Sequence, residues 1–261
     1  MKIIRNILIG ILLVVAVFFG LIFYSFSRTI PLKDHQALSG GAFQVKDGMV
    51  SVGIIPSGNG QVILVDCGND RAAKAILNAL RQMGLSREAV QTILLTHAHP
   101  DHYAGCAAFP DAKIFAMAAE QSLLEGRTGV RAPIGFLFGK RDSGIRATRY
   151  LQDSDSFQGG NVLVTAYLIP GHTDGSAAYL AAGTLYLGDS ADSAKDGSLL
   201  PAKGFVSNDR AQNRASLKNL AEELKPRASE IQFMEFAHSG PLPGIAALLN
   251  FAEDTSSNSR Q

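Results

Sequence analysis

The sequence contains no tryptophan, only two cysteines and almost no net charge. Cys67 and Cys106 are too few for a disulfide-rich scaffold or a four-thiolate zinc site, although they can pair with each other in an oxidising compartment. The formal net charge of +1 at pH 7 gives no reason to predict a nucleic-acid partner. There is no low-complexity repeat. At 261 residues and 46% hydrophobic, the chain can bury one large core or two small ones.

The longest stretch without charged or strongly polar side chains lies near the N-terminus, at residues 7–24. As a helix it would be about 27 Å long, close to the hydrocarbon thickness of a bilayer. We predict that residues 1–28 form an uncleaved signal anchor with one transmembrane helix. Cleavage as a signal peptide is an alternative, although Ser25-Phe26-Ser27 is a poor cleavage site, and a buried soluble helix is a third.

Basic residues on the N-terminal side of this stretch set the expected orientation. Lys2 and Arg5 precede it, and the positive-inside rule keeps them in the cytoplasm. The localisation that follows is a single-pass protein of a bacterial-type inner (plasma) membrane. The domain that follows would be periplasmic or extracellular, and the membrane contact would be the N-terminal helix.

The remaining chain divides into a linker at 29–40, a domain at 41–252 and a disordered tail at 253–261. Alternating or continuous apolar runs predict strands, and stripes of apolar residues spaced three and four apart predict helices. Strands are expected at 49–55, 61–65, 93–95, 113–116, 161–168, 177–181, 184–187 and 230–236. Helices are expected at 73–83, 118–125, 211–224 and roughly 242–252.

Residues 126–150 interrupt this pattern with glycines and a strong excess of basic side chains. Long loops in compact domains are often functional, so this one is either a lid over a site or a mobile surface insertion. If it is a lid, Arg127, Arg131 and Arg141 are candidates for binding an anionic substrate.

The densest chemical signal is Thr96-His97-Ala98-His99-Pro100-Asp101-His102, which holds three of the six histidines in the chain. Imidazole binds metals in its neutral form and is the commonest metal ligand near neutral pH. Pro100 cannot continue a strand ladder, so the segment is predicted to leave a strand, turn and begin a short helix. The pattern predicts a metal site.

Other ligand-type residues also follow predicted strands. They are His172 after Pro170-Gly171, Asp189 after Gly188, and His238 after the last strand. Only His35, in the linker, lies elsewhere. Loops at one edge of a sheet can direct such residues into a single cleft.

Taken together, these motifs resemble the metallo-β-lactamase-fold hydrolase superfamily. The matching segments are Asp66-Cys67-Gly68, His97 to His102, Gly171-His172-Thr173, Gly188-Asp189 and Ala237-His238, and they span about residues 40–252. The resemblance implies an α/β (α+β) fold, an αββα sandwich with a dinuclear metal site at one edge. It implies that His97, His99 and His172 hold one metal, that Asp101, His102 and His238 hold the second, and that Asp189 bridges both.

The resemblance also implies a chemistry. Two divalent ions, with zinc favoured and iron or manganese as alternatives, activate a hydroxide that attacks the substrate. Asp101 would orient the nucleophile or shuttle its proton. Asp66 and Thr173 would hold ligand imidazoles or the motif loop.

Departures from the family pattern narrow the range of substrates that we expect. Members that hydrolyse antibiotics carry cysteine or serine where this chain has Asp189, whereas glyoxalase II-like thioesterases, lactonases and phosphodiesterases carry a bridging aspartate. Lactone hydrolases of this fold carry tyrosine where this chain has Asp192, and this departure weakens the lactonase interpretation. We therefore expect a small-molecule ester, thioester or lactone as substrate, and not a β-lactam. A phosphodiesterase, a di-iron redox enzyme and a non-catalytic metal-binding module remain alternatives, and the oligomeric state stays open.

Overall fold

Two β-sheets pack face to face in the computed structural model, which describes residues 2–135 and 139–254. The first sheet has seven strands whose spatial order follows the chain: β1 (Gln36–Ala37), β2 (Phe43–Asp47), β3 (Val50–Gly58), β4 (Gln61–Val65), β5 (Val90–Leu94), β6 (Lys113–Met117) and β7 (Arg149–Leu151). The second sheet has the order β15 (Ser239–Pro243), β14 (Phe233–Phe236), β11 (Thr184–Tyr186), β10 (Ala177–Ala181), β9 (Val162–Leu168) and β8 (Ser156–Gly159). An antiparallel pair, β12 (Ala191–Ser193) and β13 (Leu199–Pro201), stands apart from both.

Helices cover the outer faces of both sheets. The α-helices of the described residues are α1 (Lys2–Ser27), α2 (Lys74–Gln82), α3 (Pro100–Tyr103), α4 (Gln121–Leu124), α5 (Arg210–Leu224) and α6 (Ala246–Glu253). Helix α2 buries Ile76 and Leu80 against the first sheet. Helices α5 and α6 bury Leu217 and Leu248 against the second. The resulting layers are helix, sheet, sheet and helix, so the predicted mixed α/β sandwich is confirmed.

Strand β4 shows why the central strands are continuous apolar runs in the sequence. Successive side chains of a strand point to opposite faces. Val62 and Leu64 pack in the cluster under α2, while Ile63 and Val65 pack between the two sheets. Both faces of β4 are therefore buried, which is the usual situation for a strand with helices outside and a sheet inside.

The N-terminal segment is helical, as predicted, over Lys2–Ser27. Among the helices that the structure describes, none is long and apolar enough to cross a membrane, so the predicted transmembrane span is not supported. The residues that follow the helix are joined to the domain by backbone hydrogen bonds. Ile30 N–H donates to Ser193 O at 3.0 Å, and Gly240 N–H donates to Ile30 O at 2.9 Å. Residues 29–40, predicted as a linker, thus line the domain and include β1.

The C-terminal part differs from the sequence pattern in one element. The apolar stretch from Leu242, predicted as the start of the last helix, begins in β15, and α6 starts only at Ala246. Strand β15 lies at the edge of its sheet. An edge strand tolerates prolines such as Pro241 and Pro243, because the side of the strand that lacks a neighbour needs no N–H donor. Residues 255–261, most of the predicted disordered tail, lie outside the described residues, as do residues 136–138 of the basic insertion.

Candidate metal centre

The ligand-type residues lie at one edge of the sandwich because the strands before them run in the same direction. Strand β5 is parallel to β4, and β11 is parallel to β14. Strand β9 has the same direction as β11, since each is antiparallel to β10. The carboxyl ends of these strands deliver two groups of candidate ligand atoms, and the atoms of each group lie within 4.8 Å of one another.

The first group contains three imidazoles and one carboxylate: His97, His99, His172 and Asp189. The Nε2 atom of His172 lies 3.1 Å from Nε2 of His97 and 3.0 Å from Nδ1 of His99. All three histidines are buried. Three buried ring nitrogens that converge on one point are arranged to share a cation.

The second group contains Asp101, His102 and His238. Oδ2 of Asp101 lies 3.8 Å from Nε2 of His102 and 3.4 Å from Nε2 of His238. The Asp101 side chain is 37% exposed, against 0% and 10% for its two neighbours. Asp101 is therefore the member of this group that a bound molecule can reach.

Asp189 connects the groups with its two carboxylate oxygens. Oδ1 lies 3.3 Å from Nε2 of His102 and 3.2 Å from Nε2 of His238. Oδ2 lies 3.5 Å from Nε2 of His172. One oxygen thus faces each group, which is the geometry expected of a bridging ligand.

The two groups differ in their electrostatics. Burial lowers the pKa of His97 and His172 well below 6.5, and lowers the pKa of His99 to about 4. Burial also opposes charge on His102, but the carboxylates of Asp66, Asp101 and Asp189 raise its pKa well above 6.5.

His238 behaves like His102. Burial disfavours its charged form, yet Asp189 and Asp101 raise its pKa to about 10. The first group is therefore a set of neutral imidazoles, whereas the carboxylates around the second favour positive charge. A divalent cation supplies that charge and would displace protons as it binds.

Two further observations indicate that the residues fit a dinuclear metal centre. His102 Nε2 and Asp189 Oδ1 are buried and lie 3.3 Å apart, but neither makes a hydrogen bond of good geometry within the described residues. Buried polar atoms whose hydrogen bonding is incomplete are costly. The donor set of imidazoles and carboxylates suits zinc and also iron or manganese.

Hydrogen bonds at Nδ1 leave Nε2 of several histidines facing the centre. Nδ1 of His238 lies 2.7 Å from the carbonyl oxygen of Met49, which can only accept. Nδ1 of His172 lies 3.0 Å from Oγ of Ser207, whose hydroxyl donates to Lys203 O at 2.8 Å. Both imidazoles therefore carry hydrogen on Nδ1 and present Nε2 as the ligand atom. Neither Ser207 nor the Met49 carbonyl belongs to a motif that could have been recognised in the sequence.

Asp66 orients a third histidine. Its Oδ2 lies 2.7 Å from Nδ1 of His102 and accepts from Oγ1 of Thr96 at 2.7 Å, while Oδ1 accepts from Thr96 N–H at 2.8 Å. Asp66 is 2% exposed and has a positive φ of 63°. The predicted role of holding a ligand imidazole thus corresponds to a direct contact.

Thr173 contacts the metal-ligand loops indirectly, through Glu120. The Thr173 hydroxyl donates to Oε2 of Glu120 at 2.9 Å, and the same carboxylate accepts from Ala98 N–H at 2.7 Å and Gly175 N–H at 2.8 Å. Glu120 is 1% exposed and joins the loop of His97 and His99 to the loop of His172. Sequence reasoning missed this residue, since a single glutamate in a short helix has no distinguishing pattern.

The disulfide between Cys67 and Cys106 braces the same region. Cys67 N–H also donates to the carbonyl oxygen of His102 at 2.7 Å. The turn that carries Asp66 is therefore linked covalently and by hydrogen bonding to the segment that carries His102.

A cavity of about 280 Å³ opens above the centre. Its floor includes His99, Asp101, Asp189 and His238, and its apolar wall is formed by Phe26, Met49, Phe205 and Val206. Lys203, which also lines the cavity, pairs with Asp192 and lies with Nζ 4.7 Å from the centroid of the Phe26 ring. Phe26, at the end of α1, was not expected at the site.

The three arginines predicted to bind substrate take different places. Arg127 pairs with Glu125 at 3.0 Å. Arg131 pairs with Asp174 beside a separate pocket of about 190 Å³. Only Arg141 lines the large cleft, of about 650 Å³, that adjoins the metal centre.

Comparison with known proteins assigns the fold to a family. The model of the Metallo-beta-lactamase superfamily matches residues 45–231. A solved B3 metallo-beta-lactamase with an active-site glutamic acid is 20% identical, with a TM-score of 0.63 over 88% of this chain and 90% of that one. The metallo-beta-lactamase family protein TTHA1429 from Thermus thermophilus is 23% identical, with a TM-score of 0.59 over 85% and 80%.

A sequence relative has no established activity. It is the "Uncharacterized protein YobT" of Bacillus subtilis (strain 168), which is 32% identical over 142 residues. The match covers 49% of this chain and 57% of that protein, so this chain spans little more than half of the relative. On the family match, which includes all but one of the candidate ligands, this chain belongs to the metallo-beta-lactamase superfamily.

Proposed function

We propose that the protein is a metal-dependent hydrolase that acts on an ester, thioester or lactone. The observation that carries this proposal is the position of Asp189, which directs one carboxylate oxygen to each of two complete ligand groups. A bridged pair of metal positions is suited to hydrolysis. When bound, two divalent cations would supply a water molecule of lowered pKa and polarise the scissile carbonyl.

In this proposal Asp101 is the catalytic carboxylate. Its side chain is more exposed than those of His102, His172, Asp189 and His238, and it faces the cavity. The nearby imidazoles of His102 and His238 hold its pKa below the ordinary range against the effect of burial. It therefore remains ionised at neutral pH, able to accept a hydrogen bond from the attacking water and to orient it.

The walls of the cavity favour an acyl substrate with an apolar portion. Phe26, Met49 and Phe205 offer apolar surface in the cavity that Asp101 also lines. The bridging position is occupied by Asp189, not by the cysteine or serine of antibiotic-hydrolysing members. We therefore propose that simple esters, thioesters and lactones are hydrolysed in preference to β-lactams.

A substrate panel tests this proposal. The full chain is depleted of metal with a chelator, reconstituted separately with zinc, iron or manganese, and assayed on p-nitrophenyl esters, thioesters, lactones, a β-lactam and bis-p-nitrophenyl phosphate. Activity that appears only after reconstitution supports the proposal. Asp101→Asn should lower kcat at least about 100-fold, while Asp111→Asn, at an exposed turn, should leave it unchanged.

Three results would contradict the proposal. Turnover of the phosphodiester alone would identify a phosphodiesterase. Iron in the purified protein without any hydrolysis would favour a redox enzyme. Stable metal binding with no turnover in any assay would favour a non-catalytic module.

We also propose that the domain works outside the cytoplasm. Disulfides persist in oxidising compartments and are rare in the cytosol, and Cys67 and Cys106 are joined. A C-terminal alkaline phosphatase fusion should be active in a bacterial host. An inactive fusion together with an active cytoplasmic reporter would overturn the proposed location.

A further inference from the structure

The large cleft of about 650 Å³ adjoins the cavity above the metal centre. Asn69 and Pro100 line both spaces, so they form the shared rim. A molecule whose reacting bond lies at Asp101 can therefore extend over this rim into the cleft. The cleft would therefore bind the end of the substrate that lies away from the reacting bond.

Two cations line this cleft, Arg71 and Arg141. The cleft also contains Asp142, but both oxygens of that carboxylate accept hydrogen bonds from Arg146, at 2.8 and 2.6 Å. Within residues 2–135 and 139–254, no carboxylate lies at ion-pair distance from Arg71 or Arg141. The arginines elsewhere in the basic insertion differ, since Arg127 has Glu125 as its partner and Arg131 has Asp174.

The backbone holds both arginines in place. The turn before Arg71 is fixed by Asp47, whose Oδ2 accepts from Asn69 N–H at 2.7 Å and from Asp70 N–H at 2.8 Å. The loop after Arg141 is fixed to α4 by Ser143, whose N–H and hydroxyl both donate to Leu124 O, at 3.0 and 2.7 Å. Both positions are therefore set by the fold, although the side chains are exposed.

Tyr103 lines the same cleft as the two cations, and its phenol is half-buried. Two guanidinium groups and a hydroxyl around one space can donate several hydrogen bonds to an oxyanion, which the planar guanidinium matches in a bidentate manner.

We propose that Arg71 and Arg141, with the Tyr103 hydroxyl, form a subsite for an anionic group of the substrate, a carboxylate or a phosphate. This rests on the proposed hydrolase function, since it assigns the reacting bond to Asp101. The substrate would then be an ester or thioester with an apolar portion against Phe26 and an oxyanion at its other end.

Matched substrates test the subsite. The assay uses p-nitrophenyl hydrogen glutarate, its neutral primary-amide counterpart, and an analogue with phosphate in place of the carboxylate. The wild-type holoenzyme should prefer an anionic substrate over the amide by about 10-fold or more in kcat/KM. The double variant Arg71→Gln/Arg141→Gln should lose about 10- to 100-fold on the anionic substrates and less than about 2-fold on the amide. The ratio for the two anions distinguishes a carboxylate from a phosphate.

Two control variants make the result specific. Arg127→Gln removes a cation of the same insertion that is paired with Glu125 and should not change the preference. Arg71→Lys/Arg141→Lys keeps the charge and should retain a part of it. Equal losses on the charged and neutral substrates, or no preference in the wild type, would overturn the subsite.

A binding measurement separates this inference from the hydrolase proposal. N-ethylsuccinamate, an amide with one carboxylate, is titrated into the full-length holoprotein by calorimetry. Binding that weakens at least about 10-fold in Arg71→Gln/Arg141→Gln supports the subsite even if no ester is hydrolysed. Binding that is equal in both proteins would contradict it, whatever the esterase assay shows.

Discussion

The ring of Phe26 meets the imidazole of His238 edge to face, with the ring centroids 6.2 Å apart. Phe26 belongs to the last turn of α1, and His238 lies in the turn between β14 and β15, more than two hundred residues later. The contact is maintained by the hydrogen bonds that join residues 28–30 to the domain. The end of the N-terminal helix is thus a wall of the candidate active site.

Replacing this wall should affect the binding of apolar substrates. We expect Phe26→Ala to raise KM for esters with long acyl chains about 3- to 10-fold, because the lost apolar contact is worth about 1 kcal/mol, and to leave kcat nearly unchanged. Phe23→Ala is the matched control, since Phe23 is 76% exposed. Steady-state kinetics on a series of esters with increasing acyl-chain length measures this change in KM. A KM that stays constant for all lengths would exclude Phe26 from the binding wall.

Asp66→Asn should weaken the second metal position selectively. The asparagine has one acceptor oxygen where Asp66 uses both oxygens for Thr96 and His102. We expect the second metal to bind about 10- to 100-fold more weakly. When zinc is limiting, the variant should retain one equivalent of zinc. Metal analysis after gel filtration measures this, with Asp111→Asn as the reference. Two equivalents of unchanged affinity would show that His102 does not depend on Asp66.

Glu235 should make stability depend on pH. Burial raises its pKa from 4.5 to about 7, so the folded chain keeps a proton that the unfolded chain releases between these values. Stability is therefore lost as pH rises across this window, by about 3 kcal/mol for this group at about 1.4 kcal/mol per pKa unit. The Ser51 hydroxyl fits a protonated Glu235, because it can donate to Phe236 O at 3.0 Å and accept from the acid.

Chemical unfolding of the metal-free chain at several pH values tests this expectation. The stability of Glu235→Gln relative to wild type should increase as pH rises from 4.5 to past 7. The buried Glu120, whose pKa burial also raises to about 7, contributes equally to both proteins and cancels in the difference. Glu222→Gln, at an exposed site, should give a constant difference. A constant difference for Glu235→Gln as well would mean that its proton is not retained on folding.

The disulfide should contribute measurably to stability. Cys67 and Cys106 are separated by 39 positions, and closing a loop of that size in the unfolded chain stabilises the native state by about 3–4 kcal/mol. Cys67→Ala/Cys106→Ala should therefore melt at a lower temperature than the oxidised wild type, and reductant should bring the wild type close to the variant. Two titratable thiols in unreduced, denatured wild type would refute the bond.

Much of the fold could be predicted because its elements have strong local patterns. Strand β4 has the predicted bounds, and α2 and α5 agree within one or two residues, since a doubly buried strand and an amphipathic helix each show their own period. Strand β15 was missed because its two prolines disfavour a strand unless it lies at an edge. That position is set by pairing with β14 and not by local sequence.

The seven candidate ligands could be identified without coordinates, because histidine and aspartate after strand ends form a pattern that needs no knowledge of distance. Two other features required the packed molecule: Glu120 joins two ligand loops, and Phe26 and Arg71 line the neighbouring cavities. These residues have no local signature. Their positions follow from contacts between segments far apart in the chain, and such contacts exist only once the two sheets have packed together.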